Sequence, residues 1–460
     1  MDSLFHPKSI AIVGASAEPR GMIFLSNIVQ NGFRGKLYPV SPRGGEVLGF
    51  KIYTSIKDIP GQVDYAFLQV PAQAAIEVLK DCGAKGVKLA TLFTAGFGES
   101  EAKGGSELEQ ELLRAARQSG VRLLGPNCLG LYCPAVGIAF GSNFPRESGP
   151  VGVLCQSGGH AGQLVYAAAE RGIRFSKVIS YGNALDLNEA ELMEYFAQDP
   201  DTRVIIAYIE RVREGKRFFQ ALRTAAQAKP VIVYKGGQSE VGAAATLCHT
   251  GSMAGSVEVW DGLLKQAGAI RASTVDECID IALALLYMKP PASRKTAAIG
   301  LGGGVTVQAA DECFHSGLIL PALPNDIRDE LKKFTPVAGN IFRNPVDISG
   351  NTLNPPEIGH GIRVIGNWNN VDLLIVHLGF EVGPGAPPQL MEHAVAEMIK
   401  AVKEVGKPAA LAAYAAYSPQ ACQSAFEVQR MCSEAEIPLF PSIQRAASAI
   451  DKLIKRHQAL

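Results

Sequence analysis

Short β-branched apolar runs alternate with helix-length segments from one end of this chain to the other, a pattern that calls for parallel sheets covered by helices on both faces. In the first series, strands are expected at Ser9 to Gly14, Gly35 to Val40, Tyr65 to Val70, Leu89 to Thr94 and Arg122 to Leu124. Helices are expected at Met22 to Asn31 and Gln73 to Cys82. The Pro/Gly/Ser-containing stretch Gly141 to Pro150 reads as a linker. A second series opens at Val151 to Leu154, runs through Lys177 to Ser180, Val204 to Ile209 and Pro230 to Lys235, and ends in a helical pattern at Val275 to Met288. The following run Lys289-Pro290-Pro291-Ala292-Ser293-Arg294-Lys295 cannot continue a helix, because proline has no amide to donate. Strands at Thr296 to Gly300, Val371 to Leu378, Ala409 to Ala416 and Ile437 to Phe440 make a third series. The expected architecture is α/β throughout, in three consecutive domains at 1–145, 146–290 and 291–460.

At 460 residues the chain is long enough for three cores. Its 44 Lys+Arg balance 44 Asp+Glu, which excludes a basic nucleic-acid binder and a highly charged disordered chain. The nine cysteines contain no Cys-x-x-Cys pair, so neither a disulfide framework nor a zinc ribbon is expected. No apolar run of about 18 residues occurs, and Met1 to Lys8 has no signal-peptide pattern. The expectation is a cytoplasmic protein that binds neither membrane nor nucleic acid.

Three loops carry candidate chemistry. After strand Ile10 to Val13, the segment Gly14 to Gly21 opens a helix whose amides can face an anion, or it simply turns the chain. It lacks the Gly-x-Gly-x-x-Gly spacing, and Ser41-Pro42-Arg43 stands where an NAD site places an acid; the cation favours a phosphorylated adenosine ligand. After Val231 to Lys235, His249 sits alone among small residues from Gly236 to Ser256, a setting that suits a phosphoryl-accepting imidazole or a loop imidazole that only hydrogen-bonds its neighbours. Glu210, at the end of Val204 to Ile209, can accept the proton of its other ring nitrogen, unless it is only a solvated acid at a helix start. A third loop, Gln156-Ser157-Gly158-Gly159-His160, precedes a helix expected from Ala161 and can bind phosphate through its amides. His160 is the rival nucleophile, although a histidine next to a helix start is more often a local hydrogen-bonding residue. His377, in an apolar strand, reads as a satisfied core residue, and no histidine spacing supports a metal site.

An ordered set of signatures then resembles the NDP-forming acyl-CoA synthetases, the family that includes succinyl-CoA synthetase. These are Ser9 to Ser16, Leu37 to Pro42, Val70-Pro71-Ala72, Phe93 to Glu99, Gly125 to Gly130, Gln156 to Gly159, His249 to Ser252 with Ala254-Gly255-Ser256, and Asn344 to Asp347. The resemblance implies a CoA-binding Rossmann domain followed by two flavodoxin-like domains, as in the α subunit of the ADP-forming acetyl-CoA synthetase type. It implies CoA contacts at Gly14, Ser16, Arg43, Val70, Pro71, Thr94, Ala95, Gly96 and Asn127. It implies phosphate contacts at Gln156, Ser157, Gly158, Gly159, Thr250, Gly251 and Ser252. His249 would be phosphorylated and Glu210 would stabilise it. The implied reaction converts acyl-CoA, ADP and phosphate to acid, CoA and ATP through an acyl phosphate and a phosphohistidine. ADP/ATP and Mg2+ would sit on an ATP-grasp β subunit, in an α2β2 heterotetramer, since this chain has no Gly-x-x-x-x-Gly-Lys-[Ser/Thr] loop. Three departures, His160, Ser41 and Leu301-Gly302-Gly303-Gly304-Val305, leave the small carboxylic acid open, a larger or aromatic one included. A non-catalytic CoA sensor and a Rossmann dehydrogenase are the rival readings; the intact histidine loop disfavours the first and Arg43 the second.

Overall fold

A computed structural model of the chain describes residues 2–100, 104–242, 256–379, 389–414 and 418–459. Its contacts divide it into two compact units, Met1–Ala169 with Ile173–Cys278, and Glu170–Gly172 with Ile279–Leu460.

The first unit holds two large sheets. In one, Lys36–Val40, Ser9–Val13, Tyr65–Leu68, Leu89–Leu92 and Arg122–Leu124 lie side by side in that order, all parallel. Every residue of Ser9–Val13 and Tyr65–Leu68 is buried, as strands covered on both faces must be. Helix Ala72–Ala84 contributes to that cover through Ala75, Ile76, Leu79 and Cys82, a stripe at helical spacing. In the other sheet the order is Ile270–Ala272, Val231–Lys235, Val204–Ile209, Ser148–Cys155, Phe175–Ser180 and Gly130–Tyr132, and only the last is antiparallel to its neighbour. Ile10, Ile12 and Leu25 share one cluster of buried side chains with Leu154, Ile179 and Ile205, so the two sheets have a common core. Burial of each such side chain contributes about 1.5–3 kcal/mol.

The second unit has one sheet in the order Ile341–Phe342, Val346–Asp347, Thr296–Gly300, Leu373–Gly379, Ala409–Tyr414 and Leu439–Phe440. Its four inner strands and Leu439–Phe440 are parallel, and Ile341–Phe342 closes an antiparallel hairpin on Val346–Asp347. Ile299, Val376 and Leu411 from the sheet pack with Ile362 and Val395 from two helices in a flavodoxin-like layer structure.

Several expectations need correction. The stretch 141–150 is not a linker. Ser148, Gly149 and Pro150 open the strand Ser148–Cys155, and Phe144 is buried against the rings of Tyr132, Phe140 and Tyr166 at 4.9, 5.2 and 5.0 Å. Aromatic packing, not the local Pro/Gly/Ser content, decides its conformation. Gly130–Tyr132 is also a strand, formed because Phe175–Ser180 offers it an antiparallel edge. The helix expected from Ala161 already starts at Gly158.

Candidate active site

In a parallel sheet whose connections leave a strand in opposite directions, the strand ends beside that reversal frame a crevice. Ser148–Cys155 is such a strand. Its successors, Phe175–Ser180 and Val204–Ile209, lie on opposite sides of it. The residues just past these three strand ends are Gln156 to Gly159, Tyr181 to Asn183, and Glu210, and most of them line one cavity of about 210 Å³. Phe93, Asn127, Cys128 and Leu129, from the strand ends of the neighbouring sheet, make its other wall.

Close approach of the two walls depends on glycine. A Cβ at Gly182, where φ is +56°, would lie 2.2 Å from Pro126 O, and one at Gly158 would lie 2.8 Å from Leu129 Cγ. Gly158 and Gly159 form the first turn of helix Gly158–Glu170, whose leading amides have no intrahelical acceptors. They stand on the cavity wall together with Ser157, an arrangement suited to an anionic oxygen. Glu210 is buried on the same wall, and Gln156 Oε1 accepts the amides of Glu210 and Arg211 at 2.8 and 3.0 Å. Burial, reinforced by the Glu210 charge, holds the Tyr208 phenol above its usual range. His160 lies in the first turn of the same helix, stacked on Tyr208 at 4.2 Å, with Nδ1 3.2 Å from Ser157 Oγ. Among the described residues the chain leaves the sheet at Lys235, Gly236 and Gly237 and returns at Ser256, which caps helix Val257–Ala267. His249, Thr250, Gly251 and Ser252 lie outside the described residues.

The CoA candidates follow the neighbouring rim. Gly14 has φ +94°, and a Cβ there would lie 2.4 Å from Gln69 O, so this glycine is required by the turn itself. The amides of Gly14 and Ala15 donate to Val40 O at 2.8 and 3.2 Å, and that of Ser16 to Gly21 O at 3.4 Å. An anion at this loop must therefore be met by side chains or by the first turn of helix Pro19–Gln30. Arg43 is 86% exposed and 3.8 Å from Glu18. Thr94 Oγ1 donates to Val70 O, Pro71 caps helix Ala72–Ala84, and Asn127 N donates to Thr94 O at 3.0 Å. Gly96 N donates to Glu99 at 2.6 Å, beside the exposed Ala95.

Asn183 joins these two rims and was missed in the sequence. Its Nδ2 donates to Glu99 and Glu109, while its carbonyl accepts Arg211 Nη2 at 2.7 Å and Arg213 Nη2 at 2.9 Å. Arg213 also pairs with Glu109 at 3.1 Å. The Gly182-Asn183 pair directly after strand Lys177 to Ser180 was the available signal, since its strand ends at the same rim as Glu210.

His377 was expected to be a satisfied core residue; it is fully buried, yet neither ring nitrogen has a partner among the described residues. The ring covers Gly300, where a Cβ would lie 2.1 Å away, and burial pushes its pKa down to about 4, so it is neutral. Nearby on the carboxyl rim of that sheet, Asp347 Oδ1 accepts the amides of Gly302 and Ser349 at 3.0 and 2.9 Å. No cluster of three His, Cys, Asp or Glu among the described residues could hold a metal ion, and none of the described helices is long and apolar enough to cross a membrane.

Comparison with known proteins agrees with this geometry. Family models for a CoA binding domain, a succinyl-CoA ligase-like flavodoxin domain and a Ligase-CoA domain match residues 8–134, 148–285 and 296–437. The chain is 40% identical over 363 residues to the α subunit of ADP-forming acetate–CoA ligase I of Pyrococcus furiosus, covering 76% of this chain and 77% of that one. It is 35% identical to the α subunit of the ADP-forming ligase II of the same organism, covering 99% and 98%. Acetyl-coenzyme A synthetase 1 of Ca. Korarchaeum cryptofilum, solved with phosphate and ADP, superposes with a TM-score of 0.85 at 33% identity, covering 100% of this chain and 97% of that one. With three consecutive domain matches and near-complete coverage by α subunits, the chain belongs to the ADP-forming acyl-CoA ligase family as a chain of the α-subunit type.

Proposed function

We propose that this chain works as the α subunit of a cytoplasmic ADP-forming acyl-CoA synthetase, organised as domains 1–145, 146–290 and 291–460, and carries its phosphoryl group on His249. One observation supports this most: Glu210 and the Gln156 to Gly159 loop share a cavity whose opposite wall is the end of the CoA-type sheet. There phosphate attacks the acyl carbonyl of acyl-CoA, the C–S bond breaks, and CoA leaves as the thiol. The imidazole of His249 then takes the phosphoryl group from the acyl phosphate, releasing the acid, and passes it to ADP. The loop amides hold the phosphate oxygens, and the Glu210 carboxylate supports the charge on the imidazole.

ADP and Mg2+ belong on this reading to an ATP-grasp β subunit, in an α2β2 assembly. The purified chain should therefore form no ATP from acetyl-CoA, ADP and phosphate until a β subunit is added. Robust turnover by the chain alone, with contaminating kinases excluded, would place the nucleotide site within these 460 residues. For CoA, Arg43 is a cation beside the Gly14 to Gly21 loop, 3.8 Å from Glu18. Because it is exposed, Arg43→Ala should weaken binding by only about 1 kcal/mol, the low end for a charge-assisted phosphate contact. Calorimetry giving an unchanged affinity would remove Arg43 from the CoA site.

A further inference from the structure

Val204–Ile209 is flanked by Val231–Lys235 and Ser148–Cys155, and from each flank a buried side chain reaches the backbone of Glu210. From one side, Gln156 Oε1 takes the amides of Glu210 and Arg211. From the other, Lys235 Nζ donates to the Glu210 carbonyl at 2.8 Å and to Gly236 O. Gln156 is 3% and Lys235 4% exposed. The first residue past a strand ordinarily follows its loop, but Glu210 is held at both its N–H and its C=O.

The same contacts orient the Gln156 amide. With Oε1 facing two N–H donors, Nε2 must face the other way, and it is buried, without a partner among the described residues, in a side chain that lines the cavity. A buried donor left unspent in this way is suited to a ligand oxygen. The Lys235 ammonium rests 5.6 Å over the Trp260 ring, and burial lowers its pKa while Glu210 opposes that shift.

We propose that Gln156 and Lys235 are paired positioning residues that fix Glu210 at the cavity wall, and that this clamp is what turns Gln156 Nε2 toward the cavity for the phosphate contact the family resemblance already implies. The second part rests on the function proposed above. Kinetics use the chain assembled with its β subunit, with acetyl-CoA, ADP and inorganic phosphate. Gln156→Glu keeps an oxygen facing the two amides and replaces the donor, so KM for phosphate should rise about tenfold or more with kcat nearly unchanged. Lys235→Met keeps the donor and loosens the carbonyl side, so kcat should fall about tenfold with little change in that KM, and Lys235→Arg should recover part of the loss. Proportional losses in every variant, as general loosening would give, or no loss in any, would overturn the proposal.

A second measurement is independent of activity. Amide exchange at Glu210 and Arg211 should accelerate about tenfold or more in Gln156→Leu, because both amides lose their acceptor. Unchanged exchange overturns the clamp. Faster exchange in Gln156→Leu, alongside a wild-type complex that makes no ATP, overturns the functional reading and upholds the clamp.

Discussion

His249→Ala is expected to abolish acyl-CoA-dependent ATP formation, a loss of about 10⁴-fold or more, while CoA affinity and thermal stability stay near wild type. The size of the effect follows from the chemistry. On the function proposed above, the phosphoryl group crosses from the acyl phosphate to a nucleotide on another polypeptide, and a covalent carrier divides that transfer into two steps. An imidazole, with an unperturbed pKa near 6.5, offers an unprotonated nitrogen at neutral pH. His160 is a poor substitute. Its ring is stacked on Tyr208 with Nδ1 against Ser157 Oγ, so it is held within the helix start. Acid-labile label from radioactive ATP, passed through the β subunit, should be present in wild type and in His160→Ala and absent in His249→Ala. Label that persists in His249→Ala and disappears in His160→Ala would transfer the role to His160. CoA binding measured on the same preparations separates this loss from a folding defect.

Much of the site was legible because parallel strands end at a common rim. Gln156 and Glu210 are 54 residues apart, yet each directly follows an apolar run, so both fall at the carboxyl edge of one sheet, and one donates to the other. The missing parts depend on partners that no local pattern encodes. Pro150 suggested a break, but the strand it belongs to is fixed by Val204–Ile209 and Phe175–Ser180 on either side. Gly14 was legible as a loop glycine; that Gly14 and Ala15 spend their amides on Val40 O follows from the neighbouring strand. Asn183 could not be singled out, because Glu99, Glu109, Arg211 and Arg213, which surround it, come from three other stretches of chain. His377 sits in an apolar strand, and only the absence of a Cβ at Gly300 lets its ring occupy that space.

The largest stability effect is expected away from the cavity, at Asp199. Lys177 is 2% exposed on the strand Phe175–Ser180, and its ammonium donates to both Asp199 oxygens at 2.9 Å and to Asp201 at 3.0 Å. Asp199 is also buried and accepts Thr202 Oγ1 at 2.6 Å. Asp199→Ala would leave the buried ammonium with the solvent-facing Asp201 as its ion-pair partner and the Phe5 and Tyr195 rings at 5.7 and 5.9 Å, which costs about 3–5 kcal/mol. For a unit of this size that lowers the unfolding midpoint by about 6–20 °C. Replacing both partners, as Lys177→Met with Asp199→Leu, removes the unpaired charge and should recover most of the loss, because desolvation offsets much of what the pair contributes. Burial lowers the Lys177 pKa, but the bonds to Asp199 and Asp201 outweigh it and leave the folded value raised. The pair's contribution is then fully present below the ordinary lysine range and declines only as alkaline pH approaches the folded value. In Asp199→Ala, burial acts on the ammonium without its main counter-charge and lowers the folded pKa of Lys177, so the deficit against wild type in thermal scans should be largest near about pH 6 and shrink as pH rises toward the ordinary lysine range, where the ammonium gives up its proton. A deficit that does not shrink from about pH 6 to pH 10, or a double variant no better than Asp199→Ala, would mean that the buried ammonium is not the source of the loss.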